Sequence, residues 1–192
     1  MKTCLLLIDV QESFRFRPYF QPDDLGTFLE RQNALIEGCL AGGIPIVRVF
    51  HVDGPKEASN SFALESGHVV PLQGLVPFEA VATFHKNRHS ALVGTGLDVW
   101  LTAHGIGRLI VSGIRTEQCC ETTTRHASDL GWNVNFCTEA TLTFDMQQPD
   151  GNALPAQAIK MRTATVLKDR FATLCTVEEA LGNARAPGQA LG

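Results

Sequence analysis

The chain has 192 residues, of which 44% are hydrophobic and 19% are charged, proportions typical of one globular domain. Its formal charge of -4, with no basic block, disfavours nucleic acid or an anionic membrane as a partner. The longest apolar runs fall far short of the ~20 residues that a membrane span needs. We therefore expect one domain that neither crosses nor binds a membrane.

Apolar runs of strand length alternate along the chain with segments of helical period. This alternation predicts an α/β fold with three αβα layers and a mainly parallel, Rossmann-like sheet of about six strands. The predicted strands cover residues 3–10, 44–51, 81–84, 108–112, 132–137 and 164–168. The predicted helices cover residues 24–41, 96–104, 116–130 and 154–163. Because Asp9 interrupts the first apolar run and no cleavage site follows, we interpret that run as a buried strand and not as a signal peptide.

Two segments lack a sustained period. Residues 52–77 are rich in Gly, Pro, Ser and His, which predicts a long loop or partial lid. Ala, Pro and Gly dominate the C-terminus, so residues 1–182 form the predicted domain and 183–192 a flexible tail.

Six cysteines lie mostly inside apolar segments and form no CxxC pair. This usage disfavours a structural zinc site and indicates a reducing compartment, the cytoplasm. Five of them are expected to be small buried hydrophobic residues. Cys119 differs because it follows the fourth predicted strand, at the start of a helix.

Three polar residues are expected to meet at one edge of the sheet. Asp9 ends the first strand, Lys86 follows the third and Cys119 follows the fourth. Ligands of parallel sheets bind at the carboxyl ends of the strands. Taken singly, Asp9 could cap a strand, Lys86 could be a solvated charge and Cys119 could be a packed thiol. Together they predict a site.

The chemistry expected of this site is nucleophilic. A cysteine in the first turn of a helix feels the positive end of the helix dipole, which lowers its pKa, and a nearby lysine lowers it further. The thiolate is the nucleophilic form. Backbone N–H groups at the same helix start could bind an oxyanion.

Three segments, in order, resemble the isochorismatase-like cysteine hydrolases, a group that includes nicotinamidases and other small-amide hydrolases. They are residues 6–11 (LLIDVQ), 84–92 (FHKNRHSAL, continued by GTGL at 94–97) and 113–119 (GIRTEQC). Each segment alone is a weak signal, but the ordered set is strong. The resemblance extends from about residue 3 to about residue 180, and it implies the isochorismatase-like hydrolase fold.

The resemblance also implies a mechanism. Asp9, Lys86 and Cys119 would be the catalytic residues of a hydrolase that cleaves a C–N bond of a small amide or urea-like substrate through a thioester. A cis peptide bond would lie between Ile114 and Arg115, and the backbone N–H groups of Arg115 and Cys119 would form the oxyanion hole. The family further implies a homo-oligomer.

Other residues are candidates for substrate binding. The guanidinium of Arg115 could clamp a carboxylate or urea-like group, or it could point to solvent or to a neighbouring subunit. Arg88 and His89 are second-rank candidates beside Lys86. Gln11 and Phe14 could form a pocket wall, although core packing explains the aromatic residue equally well.

We expect neither a metal nor another cofactor. Nicotinamidases of this family bind a metal through an Asp-x-His pair and a further His. Here the order is reversed, with His51 before Asp53 and then His68. We therefore interpret the two histidines as loop or pocket residues.

Three alternative functions stay open. The chain could be an isochorismatase-type vinyl ether hydrolase, which by resemblance does not need the cysteine. It could be a non-catalytic binding protein on the same fold. It could also be a thiol redox protein that uses Cys119 and Cys120, although adjacent cysteines close a strained ring.

Overall fold

The computed structural model describes residues 1–185. Its strands are β1 (Lys2–Ile8), β2 (Ile46–His51), β3 (Ala82–Lys86), β4 (Ile106–Ile114), β5 (Asn133–Leu142), β6 (Met146–Gln147), β7 (Ala153–Leu154) and β8 (Thr173–Cys175). Its α-helices are α1 (Leu25–Ala41), α2 (Leu97–Ala103), α3 (Glu121–Asp129), α4 (Ala156–Leu167) and α5 (Val177–Arg185). Six strands form a parallel sheet in the order β3-β2-β1-β4-β5-β8, while β6 and β7 pair as a separate hairpin.

Helices cover both faces of this sheet, as the side-chain alternation of β1 shows. Leu5 and Leu7 belong to one hydrophobic cluster, with α1 and α5. Leu6 and Ile8 belong to another, with α2, α3 and Leu167 of α4. Successive strand residues point to opposite faces, so a continuous apolar run is what a strand buried on both sides requires. The predicted α/β class with three αβα layers is confirmed.

The chain reverses its direction of strand addition beside β1. After β1 it adds β2 and β3 on one side and then crosses to β4 on the other side. Ligands of open parallel sheets bind at such a switch point, outside the carboxyl ends of the strands. The carboxyl ends of β1 and β4 meet there, since Ile8 pairs with Gly113.

The sixth predicted strand, at residues 164–168, is wrong. Residues 164–167 form the last turn of α4, and the edge strand is β8. Thr163, Thr165 and Val166 favour a strand by local propensity, but Thr163 and Leu167 are buried on the inner side of the helix. The Thr165 hydroxyl also donates to the Met161 carbonyl oxygen, as is common within a helix.

The structure adds detail to the predictions for three other segments. The predicted helix at 116–130 begins as a π-helical turn (Thr116–Cys120) and continues as α3. The predicted tail at 183–192 is helical as far as Arg185, in α5, and its remainder lies outside the described residues. The segment 52–77 contains a 3-10 turn (Leu64–Ser66) and packs Phe62 and Leu72 into the core.

All six cysteines are buried and unpaired, as the composition indicates. Among residues 1–185, no helix has both the length and the apolar character needed to cross a membrane.

We predict that Gly113→Ala destabilises the fold strongly. Gly113 has a φ of 130°, and a Cβ there would lie 1.9 Å from the Ile8 carbonyl oxygen. Urea unfolding should show a loss of more than about 3 kcal/mol, or no folded protein. The matched control is Gly26→Ala in α1, where a Cβ meets nothing within 4 Å, and its stability should stay within about 1 kcal/mol of the wild type. A Gly113→Ala protein of wild-type stability would contradict the close approach of β1 and β4.

Candidate active site

One buried ammonium organises the candidate site. Lys86 Nζ lies 2.6 Å from Asp9 Oδ2, 3.0 Å from His51 Nδ1 and 3.1 Å from Cys119 Sγ. A lysine ammonium has three N–H donors and no acceptor. Each donor therefore has one acceptor.

These four side chains come from four adjacent strands. Lys86 ends β3, His51 ends β2, Asp9 follows β1 and Cys119 follows β4. The structure thus brings together the three residues that the sequence predicts for one edge, and adds His51. Asp9 has a φ of 53°, a left-handed conformation that aspartate tolerates better than most residues.

The carboxylate and the ammonium of this cluster are both shielded from water. The side chains of Asp9 and Lys86 are 0% exposed. Burial raises the pKa of Asp9 and outweighs Lys86, which lowers it. Burial acts to lower the pKa of Lys86, but the Asp9 carboxylate and Cys119 raise it overall. The lysine is therefore held as an ammonium beside a carboxylate that binds protons more readily than an exposed one.

The expected lowering of the Cys119 pKa is wrong as a net effect. Burial and then the Asp9 charge raise the pKa of Cys119, and Lys86 opposes them only in part. Cys119 also lies in the π-helical turn that precedes α3, not in the first turn of a regular helix. In the resting site the sulfur is therefore a neutral thiol that needs a base, and the Asp9 carboxylate lies within 4.8 Å of it.

His51, predicted from the sequence only as a loop or pocket residue, lines the cavity and also belongs to the Lys86 cluster. Its Nδ1 accepts a hydrogen bond from Lys86, which leaves the proton of the neutral ring on Nε2, 3.9 Å from Asp53 Oδ2. Burial and Lys86 lower the pKa of His51 to about 4, against the opposing effect of Asp53. The sequence signal for His51 was its position at the end of a predicted parallel strand, the same signal that identified Asp9.

Gln11 holds this histidine and does not line the cavity. Its side-chain amide accepts from the His51 backbone N–H (2.7 Å) and donates to the His51 carbonyl oxygen (3.0 Å). It also donates to Ser13 Oγ (2.7 Å). With these bonds made and the side chain fully buried, Gln11 fixes the end of β2 and has no role as a pocket wall.

A metal does not fit this cluster while Lys86 is charged. Donor atoms of Asp9, His51 and Cys119 lie within 4.8 Å of one another, the one such group found in residues 1–185. However, the ammonium of Lys86 lies among the three donors and bonds to each. A metal ion would need that position and would repel the ammonium. His68 takes no part, because its ring stacks on Phe16 at 3.7 Å.

A cavity of about 140 Å³ opens onto the thiol. This volume is close to that of a cavity that holds benzene, which limits the enclosed part of a ligand to a few non-hydrogen atoms. Its lining residues are Asp9, Phe14, Arg17, Tyr19, His51, Asp53, Phe62, His89, Arg115, Gln118 and Cys119.

Two of the four predicted substrate-binding residues line this cavity. Phe14 forms an aromatic wall with Phe62, edge to face at 5.0 Å. Arg115 also lines it, whereas Arg88 is exposed and, within residues 1–185, donates only to the neighbouring Asn87 carbonyl oxygen. Arg88 extends to solvent because its backbone lies in the exposed loop after β3. The second-rank candidate His89 does reach the site, with Nδ1 3.8 Å from Cys119 Sγ.

Arg115 is buried and already neutralised. Its guanidinium pairs with Glu117 Oε1 at 3.1 Å and lies over the rings of Tyr19 (5.0 Å) and Phe144 (5.7 Å). The other carboxylate oxygen of Glu117 accepts from the Thr143 hydroxyl at 2.6 Å. The alternative in which Arg115 points to solvent is therefore wrong, whereas contact of its guanidinium with a substrate or with a neighbouring subunit stays a prediction.

The loop before the cysteine has an unusual backbone. The peptide bond between Ile114 and Arg115 is cis. The Arg115 carbonyl oxygen then accepts from the N–H groups of Gln118 and Cys120, both at 3.2 Å. These bonds close the turn that presents Cys119 to the cavity.

A parallel αβα sheet with an aspartate, a lysine and a cysteine buried together at its switch point defines an α/β protein with a polar, thiol-containing site. The chain belongs to the isochorismatase family, since the Isochorismatase domain model matches residues 3–179. It is therefore an isochorismatase-family hydrolase, and the resemblance found in the sequence is confirmed.

Individual relatives agree with this assignment. The chain is 39% identical to the nicotinamidase of Escherichia coli K12 over 182 aligned residues, 76% of this chain and 85% of that protein. The fold matches an isochorismatase-family protein of Chromobacterium violaceum with a TM-score of 0.85 at 24% identity, over 95% of this chain and 93% of that one. It matches a cysteine hydrolase of Pseudomonas syringae pv. phaseolicola with a TM-score of 0.83 at 19% identity, over 95% and 92%.

We predict that His51 makes the fold sensitive to acid. Its pKa is about 4 in the folded protein and ~6.5 when unfolded, so between these values the unfolded chain binds a proton that the folded chain does not. The free energy of unfolding should fall as pH drops through this window, by on the order of 3 kcal/mol from this group. In His51→Asn, whose side-chain oxygen can still accept from Lys86, that part of the pH dependence should disappear.

Urea unfolding at a series of pH values between 4 and 7 measures this contribution as the difference between wild type and variant. His68→Asn is the control for losing one histidine of the chain. An unchanged pH dependence in His51→Asn, or the same change in His68→Asn, would contradict a specific role of His51.

Proposed function

We propose that this chain is a cysteine-dependent hydrolase that cleaves the C–N bond of a small amide or urea-like substrate through a thioester. The observation that carries the proposal is the bonding of Lys86 Nζ to both Asp9 and Cys119, at 2.6 and 3.1 Å. The E. coli relative, a nicotinamidase, supports an amide as the substrate class.

The first step would be proton transfer from the Cys119 thiol to the Asp9 carboxylate. Before transfer the ammonium of Lys86 is paired with the carboxylate, and after transfer it is paired with the thiolate. The negative charge moves between two acceptors of the same cation, so no isolated charge is created in the buried site. The raised pKa of Asp9 favours this transfer, since it makes the carboxylate a better base.

The thiolate would then attack the carbonyl carbon of the substrate. Backbone N–H groups of Arg115 and Cys119 would stabilise the oxyanion of the tetrahedral intermediate. Asp9 would return its proton to the departing nitrogen, so that the C–N bond breaks and an S-acyl thioester remains. Water would then give a proton to Asp9 and attack the thioester carbonyl, so that the C–S bond breaks and the acid is released. Asp9 would pass this proton to the departing sulfur, which restores the thiol and the carboxylate.

The alternatives have less support. Cleavage of a vinyl ether would give no role to the thiol that is bonded to Lys86. A binding protein would not need a carboxylate and a thiol that both contact one buried ammonium. Cys120 is fully buried among apolar side chains next to Cys119. A redox role would need that packed thiol to reach its neighbour.

The cellular compartment is a separate question. The unpaired thiols of residues 1–185 support a reducing compartment, and we propose the cytoplasm.

We predict that Cys119→Ala abolishes amide hydrolysis. A panel of primary amides and ureas, followed by ammonia release, should show a loss of about 10⁴-fold or more in kcat. Cys120→Ala removes the adjacent buried thiol and should keep turnover within an order of magnitude of the wild type. Undiminished turnover in Cys119→Ala, or wild-type protein that hydrolyses no member of the panel, would reject the thiol mechanism. Isochorismate cleavage that survives in Cys119→Ala would favour the vinyl ether alternative.

We predict opposite effects of Asp9→Asn on two reactions of the same sulfur. The Asp9 charge raises the pKa of Cys119 whereas Lys86 lowers it. Loss of the carboxylate should therefore increase the thiolate fraction and speed alkylation of Cys119 by iodoacetamide at neutral pH. Amide hydrolysis should fall by roughly 10²- to 10⁴-fold, because the base is gone.

Mass spectrometry assigns the alkylated cysteine, with Cys119→Ala as the blank. Lys86→Met is the matched variant that removes the opposite charge, and alkylation should slow in it. If Asp9→Asn slows both reactions, Asp9 acts by holding the site together and not as the base.

A further inference from the structure

The cavity is bordered by one cation that has no counter-charge. Lys86 is paired with Asp9, and Arg115 is paired with Glu117. Arg17 also lines the cavity, but within residues 1–185 no carboxylate oxygen lies within 4.0 Å of its guanidinium.

Arg17 is held against the wall of the cavity and does not swing freely in solvent. Its guanidinium carbon lies 4.8 Å from the centre of the Phe62 ring, and Phe62 in turn packs edge to face on Phe14. Its backbone N–H donates to the Phe14 carbonyl oxygen at 3.0 Å. A half-buried cation in a fixed position gains most from an anionic ligand, because part of its hydration has already been lost.

The acidic residues around the cavity would not repel an anionic ligand strongly. Asp9 and Glu117 are neutralised by their partners. Asp53 is 66% exposed, and its Oδ1 accepts from the N–H of Gly54 at 2.8 Å while Oδ2 faces His51. Solvent therefore screens the charge of Asp53, and its carboxylate is bonded within its own loop.

We propose that Arg17 binds a carboxylate of the substrate, so that the substrate class is small amides with a carboxylate at the end opposite the scissile C–N bond. The planar guanidinium offers two parallel N–H donors that match a carboxylate. The volume of 140 Å³ restricts the spacer between the two ends to a short one. This inference rests on the proposed hydrolase function and names Arg17 as the residue that selects the substrate.

The test compares succinamate with levulinamide, a neutral isostere in which a methyl group replaces one carboxylate oxygen. Wild type should have a higher kcat/KM for succinamate. Arg17→Gln should lower the ratio of the two kcat/KM values by roughly 10- to 100-fold, mainly through KM, because the carboxylate lies away from the reacting carbon. Arg17→Lys, which keeps the charge but loses the two-pronged geometry, should recover part of the ratio.

Arg15→Gln is the matched control, since Arg15 lies two residues away, is exposed and does not line the cavity. It should leave the ratio unchanged. A wild type that hydrolyses both amides without preferring succinamate, or a ratio that Arg17→Gln does not change, would overturn the proposal while leaving the hydrolase function intact.

Binding to Cys119→Ala protein separates this inference from the proposed function. Calorimetric titration with succinamate and levulinamide should show tighter binding of succinamate, which Arg17→Gln in the same background abolishes. If neither amide is hydrolysed by the wild type and succinamate still binds through Arg17, the anion site stands and hydrolysis of these amides is rejected. If succinamate does not bind more tightly than levulinamide, the anion site is rejected.

Discussion

A buried ammonium must have each of its protons bonded, and Lys86 meets this requirement with acceptors from three neighbouring segments of the sheet edge. Asp9 forms an ion pair with the ammonium at 2.6 Å, and His51 and Cys119 contact it as acceptors at 3.0 and 3.1 Å. Removing any acceptor would leave a buried N–H donor of the ammonium uncompensated. This cation holds the thiol in position and, together with burial, keeps the histidine neutral, whereas the basicity of the carboxylate comes from burial against the opposing effect of Lys86.

The sheet is built so that these groups can meet. The chain places β1 between β2 and β4, and the tight pairing of Ile8 with Gly113 brings the carboxyl ends of β1 and β4 together. Only glycine fits at position 113, since any side chain would meet the backbone of β1. On the other side of β1, the side-chain amide of Gln11 bonds to the His51 backbone and so joins the loop after β1 to the end of β2. The contacts that pair the strands therefore also position the residues of the site.

Charge is distributed unevenly around the cavity. The inner end contains an ammonium, a carboxylate and a thiol whose charges balance, and its side wall contains an arginine already paired with Glu117. Arg17 lies on the aromatic wall formed with Phe62 and has no acidic partner in the part of the chain that the structure describes. An interior that is balanced and a border that is positive favour a small ligand with a reactive neutral end and an anionic end.

The sequence by itself determined the α/β class and five of the six main strands, because a strand buried on both faces needs a continuous apolar run. It also determined the meeting of Asp9, Lys86 and Cys119, because each of them comes at or just after the end of a parallel strand. Tertiary structure decided the rest. The last turn of α4 has strand-like local propensity that only packing overrides. The sequence offered Arg115 as one candidate substrate clamp, but only the structure shows that Glu117 neutralises it and that Arg17, which also lines the cavity, has no acidic partner within residues 1–185. Pairing, pKa and access depend on distances between segments far apart in the chain, and these distances exist only in the folded protein.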